Sequence, residues 1–258
     1  MCKRIDRYWR VVATACCFMV FGLGGVLVST TVYPAICLVY RDRTRRSLAT
    51  KSCIHHAFRC FIGLMVFLRV LTYEVRGVER LKRNGLLIVA NHPSLIDVIF
   101  LISRIQRADC IVKSELAKNP FTRGPIEAAG YICNDTGAGM VDDCIASLRG
   151  GNNLVIFPEG TRTPLKGTAK LQRGAANIAV RGAIDITPVH IRSSLPMLSK
   201  GVKWYRVPAH RVHFIIDVQE DIPVQKFLSE CSNQALAARR LTNFIANHFH
   251  LDTHYAKS

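Results

Sequence analysis

The stretch that decides the fold is Leu86–Asp97, with the sequence LLIVANHPSLID. Its first half, Leu86–Ala90, is a short apolar run of the kind that forms a buried strand. Pro93 favours the first position of a helix, which places His92 in the intervening turn. Residues five apart inside one regular helix point about 140° away from each other, so the turn is what lets Asp97 reach back to His92. The stretch predicts a strand, a turn and a helix, with an imidazole and a carboxylate in contact.

The pair His92 and Asp97 is a candidate for general-base chemistry. A carboxylate on one imidazole nitrogen fixes the tautomer and leaves the other nitrogen as a base near neutral pH. Asp97 is the only Asp, Glu, Lys or Arg between Asn91 and Ile102. Taken alone, a histidine in a turn is commonly structural, and a carboxylate near a helix N-terminus is stabilised by the helix dipole. The pair therefore needs support from the rest of the chain.

Further short apolar runs alternate with longer mixed stretches after Tyr73. The alternation is typical of strands separated by helices, and it predicts an α/β fold with a mixed, mainly parallel sheet flanked by helices. This domain is predicted to span residues 73–258, and Gln234–Phe249 has the pattern of a closing amphipathic helix. The predicted strands are Leu86–Ala90, Cys110–Val112, Tyr131–Cys133, Leu154–Phe157, Ile186–Ile191 and Val212–Val218.

Residues 1–72 are predicted to form N-terminal membrane-anchoring helices. Val11–Tyr40 contains no Asp, Glu, Lys, Arg or His. As one straight helix this run would measure about 45 Å, against about 30 Å for the hydrocarbon core of a bilayer. Basic residues flank it on both sides, and the positive-inside rule places both flanks in the cytoplasm. With its glycines and Pro34, the run predicts a re-entrant helical hairpin; one tilted span with an interfacial segment is the alternative.

The last part of the N-terminal region, Cys53–Thr72, has apolar residues at helical spacing. This spacing predicts one more helix. The same pattern fits a helix that lies in the membrane interface and an ordinary core helix.

The charge of the chain indicates an anionic partner, since 35 Lys and Arg face 18 Asp and Glu, for a formal net charge of +17. Many basic residues flank the apolar run, as in contacts with lipid headgroups. No nucleic-acid recognition motif accompanies the charge, so a membrane lipid surface and not nucleic acid is the predicted partner. The ten cysteines show no metal-type or disulfide-type spacing, which favours a reducing compartment and a cytoplasmic catalytic domain.

A second candidate segment is Phe157–Arg162, with the sequence FPEGTR, at the end of the strand Leu154–Phe157. Gly160 allows close approach of the backbone to a ligand. Arg162 offers a planar fork of donors that fits phosphate. Alone, the segment equally fits a turn at a strand end with a solvated arginine.

Together the two segments resemble the glycerolphosphate and lysophospholipid acyltransferase family. The family's first block, a histidine and an aspartate separated by four residues, matches His92 and Asp97. Its third block, Pro-Glu-Gly-Thr-Arg, matches Pro158–Arg162, and its fourth, a proline in an apolar strand, matches Pro188. The resemblance implies transfer of a fatty acyl group from acyl-CoA or acyl-ACP to the hydroxyl of a lysophospholipid such as 1-acyl-glycerol-3-phosphate. It also implies a membrane location, and the bacterial inner membrane is expected.

The resemblance assigns roles to individual residues. His92 would take the proton from the acceptor hydroxyl, and Asp97 would orient His92 and stabilise the imidazolium. No metal is expected, and no cofactor beyond the acyl thioester, which is a substrate. The residues implied in substrate binding are Glu159, Gly160, Thr161 and Arg162.

The second family block departs from the pattern. In the family an arginine follows a glycine and apolar residues and helps to hold the acceptor; here the stretch is Gly130–Thr136, without arginine. Asn134-Asp135 fits a turn equally well. Arg123 and Arg173, with Lys170, are the expected substitutes as phosphate contacts. The departure keeps open an acyltransferase for another acceptor, such as an amino-acid lipid or a polyene lipid anchor, and a non-catalytic lipid-binding relative.

Overall fold

A computed structural model describes residues 2–112, 114–118, 120–134, 139–165 and 170–251 of the chain. In this part of the chain a central sheet has seven strands: β1 Leu71–Arg76, β2 Leu87–Ala90, β3 Ala108–Val112, β4 Ile132–Cys133, β5 Asn153–Ile156, β6 Ile186–Ser193 and β7 Val212–Val218. Their order in the sheet is β1-β7-β6-β2-β5-β3-β4. Neighbouring strands are parallel except for the antiparallel pair β6 and β7. The predicted mixed, mainly parallel sheet is confirmed.

Helices flank the sheet. The closing amphipathic helix that the sequence predicts is confirmed as the last of them. A π turn at Val28–Val32 and a 3-10 turn at Val78–Lys82 complete the regular structure of the described residues. The helices are α1 Cys2–Leu27, α2 Tyr33–Val39, α3 Arg43–Phe67, α4 Asp97–Ile102, α5 Ser114–Lys118, α6 Pro120–Ala129, α7 Met140–Arg149, α8 Gly174–Gly182, α9 Val224–Glu230 and α10 Gln234–Leu251.

The central strand β2 is buried on both faces, which explains its unbroken apolar sequence. Leu87 and Val89 belong to a hydrophobic cluster with residues of α7, α8 and α10. Ile88 and Ala90 point the other way, into a cluster with residues of α3 and α4. Successive side chains of a strand alternate between its faces, so each layer of helices takes every second residue. The sheet is thus the middle layer between two helical layers.

The helix predicted over Cys53–Thr72 is wrong at both ends. It is part of α3, which begins earlier, at Arg43, because the Asp42 side chain caps it and accepts the Arg45 N–H at 2.7 Å. It ends at Phe67, before the predicted end.

The edge strand β1 is missing from the predicted set. Arg69 has a φ of 60°, which turns the chain out of α3. β1 then pairs in parallel with β7, starting with Leu71 opposite Val212. The apolar spacing that looked helical runs on into this strand by coincidence. The domain boundary predicted after residue 72 stays a prediction, and β1 begins just before it.

The apolar N-terminus forms one continuous helical segment. α1, the π turn and α2 follow one another with helical backbone angles at both junctions. Pro34 lies in the first turn of α2, directly after the wider π turn, where its missing N–H is tolerated. The hydroxyls of Ser29 and Thr30 donate to carbonyls four residues back and stay inside the helix. The re-entrant hairpin predicted within Val11–Tyr40 is therefore wrong, because the helix accommodates its glycines and its proline.

Both ends of this helical segment contact the α/β domain. Near the start, the buried Arg10 donates to the carbonyls of Pro208 at 3.2 Å and Ala209 at 2.7 Å. Near the end, the ring of Tyr33 lies so close to Gly124 of α6 that a Cβ there would be 3.3 Å from it. The segment thus lies along one side of the domain.

The chain reverses after α2, and α3 runs back along α1. Trp9 Nε1 donates to the Leu68 carbonyl at 3.0 Å, and the Phe21 ring packs edge-on against Phe61 with centroids 5.1 Å apart. A buried ion pair, Lys51 to Asp109 at 2.6 Å, holds α3 against β3. α3 therefore connects the apolar segment to the sheet.

Candidate active site

The site lies at the carboxyl edge of two neighbouring strands. β2 and β5 are parallel, with Val89 opposite Ile156, so the segments that follow them leave the sheet side by side. The segment after β2 carries His92, and the segment after β5 carries Glu159 and Arg162. The topology thus brings together the two sequence segments that the motifs singled out.

His92 and Asp97 form the predicted contact. Nδ1 of His92 lies 2.9 Å from Oδ2 of Asp97, whose side chain is fully buried, while 17% of the His92 side chain is exposed. The helix start expected at Pro93 is wrong, since α4 begins at Asp97 itself. Residues 93–96 form a tight turn that bends His92 back over the first residue of the helix.

Ser94 completes the surroundings of the Asp97 carboxylate. Its backbone N–H donates to Oδ2 at 2.6 Å, and its hydroxyl donates to Oδ1 at 2.7 Å. Burial raises the pKa of Asp97, whereas the hydrogen bonds from His92 and Ser94 oppose the rise. Sequence reasoning missed this role of Ser94, although its place three residues before an aspartate is a common local hydrogen-bond spacing.

The imidazole of His92 is held in one orientation. A proton on Nδ1 is directed at Asp97, which leaves Nε2 as the acceptor. The ring stacks on Phe157, with centroids 4.2 Å apart and an angle of 25° between the planes. The Phe157 ring therefore packs on one face of the imidazole, a contact that the sequence did not predict.

Glu159 ties the two segments together. Its Oε1 accepts the His92 backbone N–H at 3.0 Å and the Thr163 hydroxyl at 2.7 Å. The Thr163 N–H in turn donates to the His92 carbonyl at 2.7 Å. Oε2 of Glu159 is buried with no hydrogen-bond partner among the described residues. The structure thus shows Glu159 as a clamp on His92, with one oxygen left over.

Arg162 is half-buried and has two backbone partners. Its Nη1 donates to the carbonyls of Leu198 at 2.9 Å and Ser199 at 3.2 Å, in the loop between β6 and β7. The same Leu198 carbonyl accepts the N–H of Leu95, beside His92. Gly160 has a φ of 65°, so the turn that positions Arg162 favours glycine there, and Thr161 is exposed.

The two other arginines of the predicted site lie elsewhere. Arg123 is exposed on α6 and pairs with Glu127 on the same helix at 2.6 Å. Arg173 precedes α8 and lines a cavity of about 380 Å³ with Lys170 and Arg239. Among the described residues, none of the three cations of this cavity forms an ion pair. Arg239 comes from α10, so no local pattern connects it with Arg173.

The stretch that corresponds to the family's second block contains β4, and Asn134 follows the end of this strand. Asn134 accepts the Ser114 N–H at 3.1 Å through its side chain, and its own N–H donates to the Val112 carbonyl at 3.0 Å. The segment therefore links β3 and β4. Asp135 and Thr136 lie outside the described residues.

Comparison with known proteins supports the motif assignment. The family model described as Acyltransferase matches residues 72–192. The 1-acyl-sn-glycerol-3-phosphate acyltransferase of Helicobacter pylori is 34% identical over 189 residues, which cover 67% of this chain and 73% of that protein. The lyso-ornithine lipid O-acyltransferase of Pseudomonas aeruginosa is 29% identical over 193 residues, or 67% of this chain and 74% of that protein. The chain belongs to the acyltransferase family, as the resemblance implied.

A solved structure has the same fold. The crystal structure of the 1-acyl-sn-glycerophosphate acyltransferase PlsC from Thermotoga maritima aligns with a TM-score of 0.69 at 19% identity, covering 99% of this chain and all of that one. Among the curated relatives, the 1-acyl-sn-glycerol-3-phosphate acyltransferase of Pseudomonas aeruginosa is 29% identical over 128 residues, 46% of this chain. The match spans only about half of that relative, 49% of its length.

Proposed function

We propose that this chain is an O-acyltransferase that moves a fatty acyl group from an acyl thioester to the hydroxyl of a lysophospholipid such as 1-acyl-glycerol-3-phosphate, in phospholipid biosynthesis. The observation that carries the proposal is the contact between His92 Nδ1 and the buried Asp97, 2.9 Å long. It leaves Nε2 of a partly exposed imidazole as a base at the open edge of the sheet. A lipid-binding relative without activity would not need this pair.

The chemical step follows from that geometry. Nε2 of His92 takes the proton of the acceptor hydroxyl while the hydroxyl oxygen attacks the thioester carbonyl carbon. The tetrahedral intermediate then collapses, the carbon–sulfur bond breaks, and the thiolate takes the proton back from the imidazolium. Asp97 stabilises the imidazolium between these events. No covalent bond to the protein is required.

Substrate binding is proposed for the residues of the second segment. Oε2 of Glu159 is buried and has no hydrogen-bond partner among the described residues, so one acceptor of the carboxylate is unused. We propose that a hydroxyl of the substrate reaches it on binding. Nη1 of Arg162 is engaged with backbone carbonyls, so its contact with the acceptor falls to the other guanidinium nitrogens. Gly160 and the exposed Thr161 form the turn between them. The proposed ligand of Arg162 and of this turn is the phosphate end of the acceptor, whereas Oε2 of Glu159, itself an anion, is proposed to accept from a hydroxyl.

The cavity beside α8 is a second proposed phosphate contact. Lys170, Arg173 and Arg239 line it, and Gln172, between the first two, donates its N–H to the Pro158 carbonyl at 2.6 Å. The cavity wall is thereby joined to the second segment. Arg123 stays a weaker candidate, since Glu127 already neutralises it. The donor is proposed to be acyl-CoA or acyl-ACP, with no metal or cofactor.

Membrane association is proposed for the N-terminal helical segment. By length and composition Ile5–Val39 is apolar enough to cross a bilayer, and little of its most apolar part is buried. Both ends of the segment touch the α/β domain, so we propose that it lies in the interface instead of crossing. Exposed apolar side chains on it include Tyr8, Val12, Met19, Leu23 and Leu27. The proposed location is a bacterial inner membrane, with the catalytic domain cytoplasmic and no nucleic acid as partner.

The orientation of this segment can be tested in vesicles. Tags before Ile5 and after Tyr40 should be cleaved by protease from the same side as the catalytic domain. Access from opposite sides would show that the segment crosses the bilayer.

A second acceptor is favoured by two observations. The second block lacks the family's arginine, and a lyso-ornithine lipid O-acyltransferase is among the similar proteins. An amino-acid lipid with a free hydroxyl is therefore the alternative acceptor.

Purified full-length protein in detergent will test the proposal. It is offered acyl-CoA or acyl-ACP with 1-acyl-glycerol-3-phosphate, lyso-ornithine lipid, glycerol-3-phosphate or no acceptor, and both free thiol and acylated product are measured. Product with 1-acyl-glycerol-3-phosphate supports the first assignment, and product with lyso-ornithine lipid alone supports the second. Thiol release without acylated product, or no release, would refute acyl transfer.

A further inference from the structure

The loop between β6 and β7, residues 194–211, presents two aromatic side chains to the outside. Trp204 and Tyr205 are each 46% exposed. Exposed tryptophan next to exposed tyrosine is uncommon on a water-facing surface, because both rings carry a large apolar area. At the boundary of a bilayer the same rings are favoured, since one end is apolar and the other polar.

The same loop is strongly cationic. The chain has no Asp or Glu between Asp185 and Asp217. Lys200, Lys203 and Arg206 are exposed around the two rings, and Lys203 Nζ lies 5.7 Å from the Tyr205 ring centroid. Cations beside interfacial aromatics fit the phosphates of an anionic membrane surface.

The outer part of the loop is fastened to the apolar N-terminal segment. The Trp204 ring meets Phe18 of α1 edge-on, with centroids 6.0 Å apart. Arg10 of α1 pairs with Asp6 and donates to the carbonyls of Pro208 and Ala209. The exposed face of the loop is therefore continuous with the exposed apolar face of α1.

The inner part of the loop is fastened to the active site. Leu198 is buried, with a φ of 52°, and its carbonyl accepts from both Leu95 and Arg162. Ser199 is also buried and accepts from the same guanidinium. Directly after Ser199 the chain emerges at the surface, at the exposed Lys200. A short stretch of chain thus joins the outer aromatics to the segment that carries His92.

We propose that the loop 194–211 is a second membrane-contacting element, with Trp204 and Tyr205 in the headgroup layer and Lys200, Lys203 and Arg206 on anionic phosphates. This inference rests on the membrane association that is part of the proposed function. The loop holds the catalytic edge of the sheet at a set height above the bilayer, where the hydroxyl of a lipid acceptor emerges. The occupant is the surface of an anionic bilayer, because the loop carries cations without acids and continues the apolar face of α1.

The two tryptophans of the chain, Trp9 and Trp204, allow a direct test. Trp9→Phe leaves Trp204 as the single emitter, and Trp204→Phe leaves Trp9. Each full-length variant is placed on vesicles of phosphatidylcholine and phosphatidylglycerol that contain lipids brominated near the headgroup or at the chain ends. We expect the bromines near the headgroup to quench the fluorescence of Trp204, and we expect the vesicles to shield Trp204 from quenching by acrylamide.

The outcomes separate this inference from the proposed function. If Trp9 is quenched while Trp204 stays unquenched and open to acrylamide, the protein binds membrane but the loop does not, and the inference is refuted. If neither tryptophan is quenched on vesicles, membrane association itself is refuted, and the inference with it. Quenching of both by shallow bromines supports the inference.

Charge removal gives an independent readout. The triple variant Lys200→Gln, Lys203→Gln, Arg206→Gln is compared with a matched variant, Arg149→Gln, Lys226→Gln, Arg240→Gln, which also loses three charges. On anionic vesicles the loop variant should raise the apparent KM for a vesicle-bound acceptor by at least about fivefold, the effect of one cation at such a surface. The KM for a short-chain acceptor in solution should not change. Equal effects of the two triple variants would refute a specific role of the loop.

Discussion

Replacement of Asp97 by Asn separates the charge of this residue from its place in the fold. The carboxylate accepts from His92 Nδ1, from the Ser94 N–H and from the Ser94 hydroxyl. An Asn carbonyl oxygen in the position of Oδ2 can accept the hydrogen bonds from His92 Nδ1 and from the Ser94 N–H. Its NH₂ group then faces the Ser94 hydroxyl, which can rotate and accept. The variant keeps the shape and the hydrogen bonds and loses the negative charge beside the imidazolium.

The expected loss of activity follows from that charge. A positioned general base contributes roughly 10²–10⁴-fold to a proton-transfer step. Loss of the partner that stabilises the imidazolium should therefore cost up to that factor in kcat, or about 2.7–5.4 kcal/mol in activation free energy. Stability should respond differently. Because burial raises the pKa of Asp97, its ionised form is the costly one in the fold, and a neutral Asn should leave Tm unchanged or raise it.

The assay pairs turnover with unfolding. Thiol release in the presence of acceptor measures kcat, and thermal unfolding in the same detergent measures Tm. The double variant His92→Ala, Asp97→Asn serves as the control, and it should be little worse than His92→Ala, because the two residues act as one unit. A kcat within tenfold of the parent for Asp97→Asn, or additive losses in the double variant, would refute the reasoning. So would a loss of activity that simply follows a fall in Tm.

Three further predictions concern Glu159, Arg162 and the ion pair of Arg83 with Asp221. Glu159→Ala should lower kcat by releasing the His92 backbone. Glu159→Gln keeps an acceptor at Oε1, so it should recover kcat more fully than it recovers the affinity for the substrate. Equal kcat in both variants would argue against the hydrogen bond from Glu159 to the His92 backbone as a positioning contact. Arg162→Lys loses the planar fork and should raise the acceptor KM more than the donor KM; equal values would make this arginine purely structural. The Arg83 guanidinium lowers the pKa of Asp221, so the pair adds stability that is present above the unfolded pKa and lost as pH falls through the folded pKa. Arg83→Met should lower Tm slightly at pH 7, by an amount worth at most about 1 kcal/mol, and the difference should vanish at acidic pH; a pH-independent difference would contradict this.

Sequence patterns alone determined the central strands and the contact between His92 and Asp97. The central strands are buried on both faces, so their apolar runs are unbroken and visible, as in Leu87–Ala90. His92 and Asp97 are five positions apart, so one turn suffices to bring them into contact. β1 was missed because Leu71 continues the helical spacing of α3, and only pairing with β7 makes the segment a strand. The hairpin was wrong because glycines and Pro34 weaken a helix without having to reverse it.

Only the tertiary structure decided how the site is supported and where it faces. Glu159 reaches the His92 backbone because β2 and β5 are neighbours in the sheet, although the two residues are 67 positions apart. Arg239 joins Arg173 at one cavity because α10 packs on α8. The Trp204 ring contacts the Phe18 ring, although the two residues are far apart in the sequence. Such contacts leave no local periodicity in a single sequence, since each depends on the path of the whole chain and not on the preferences of neighbouring residues.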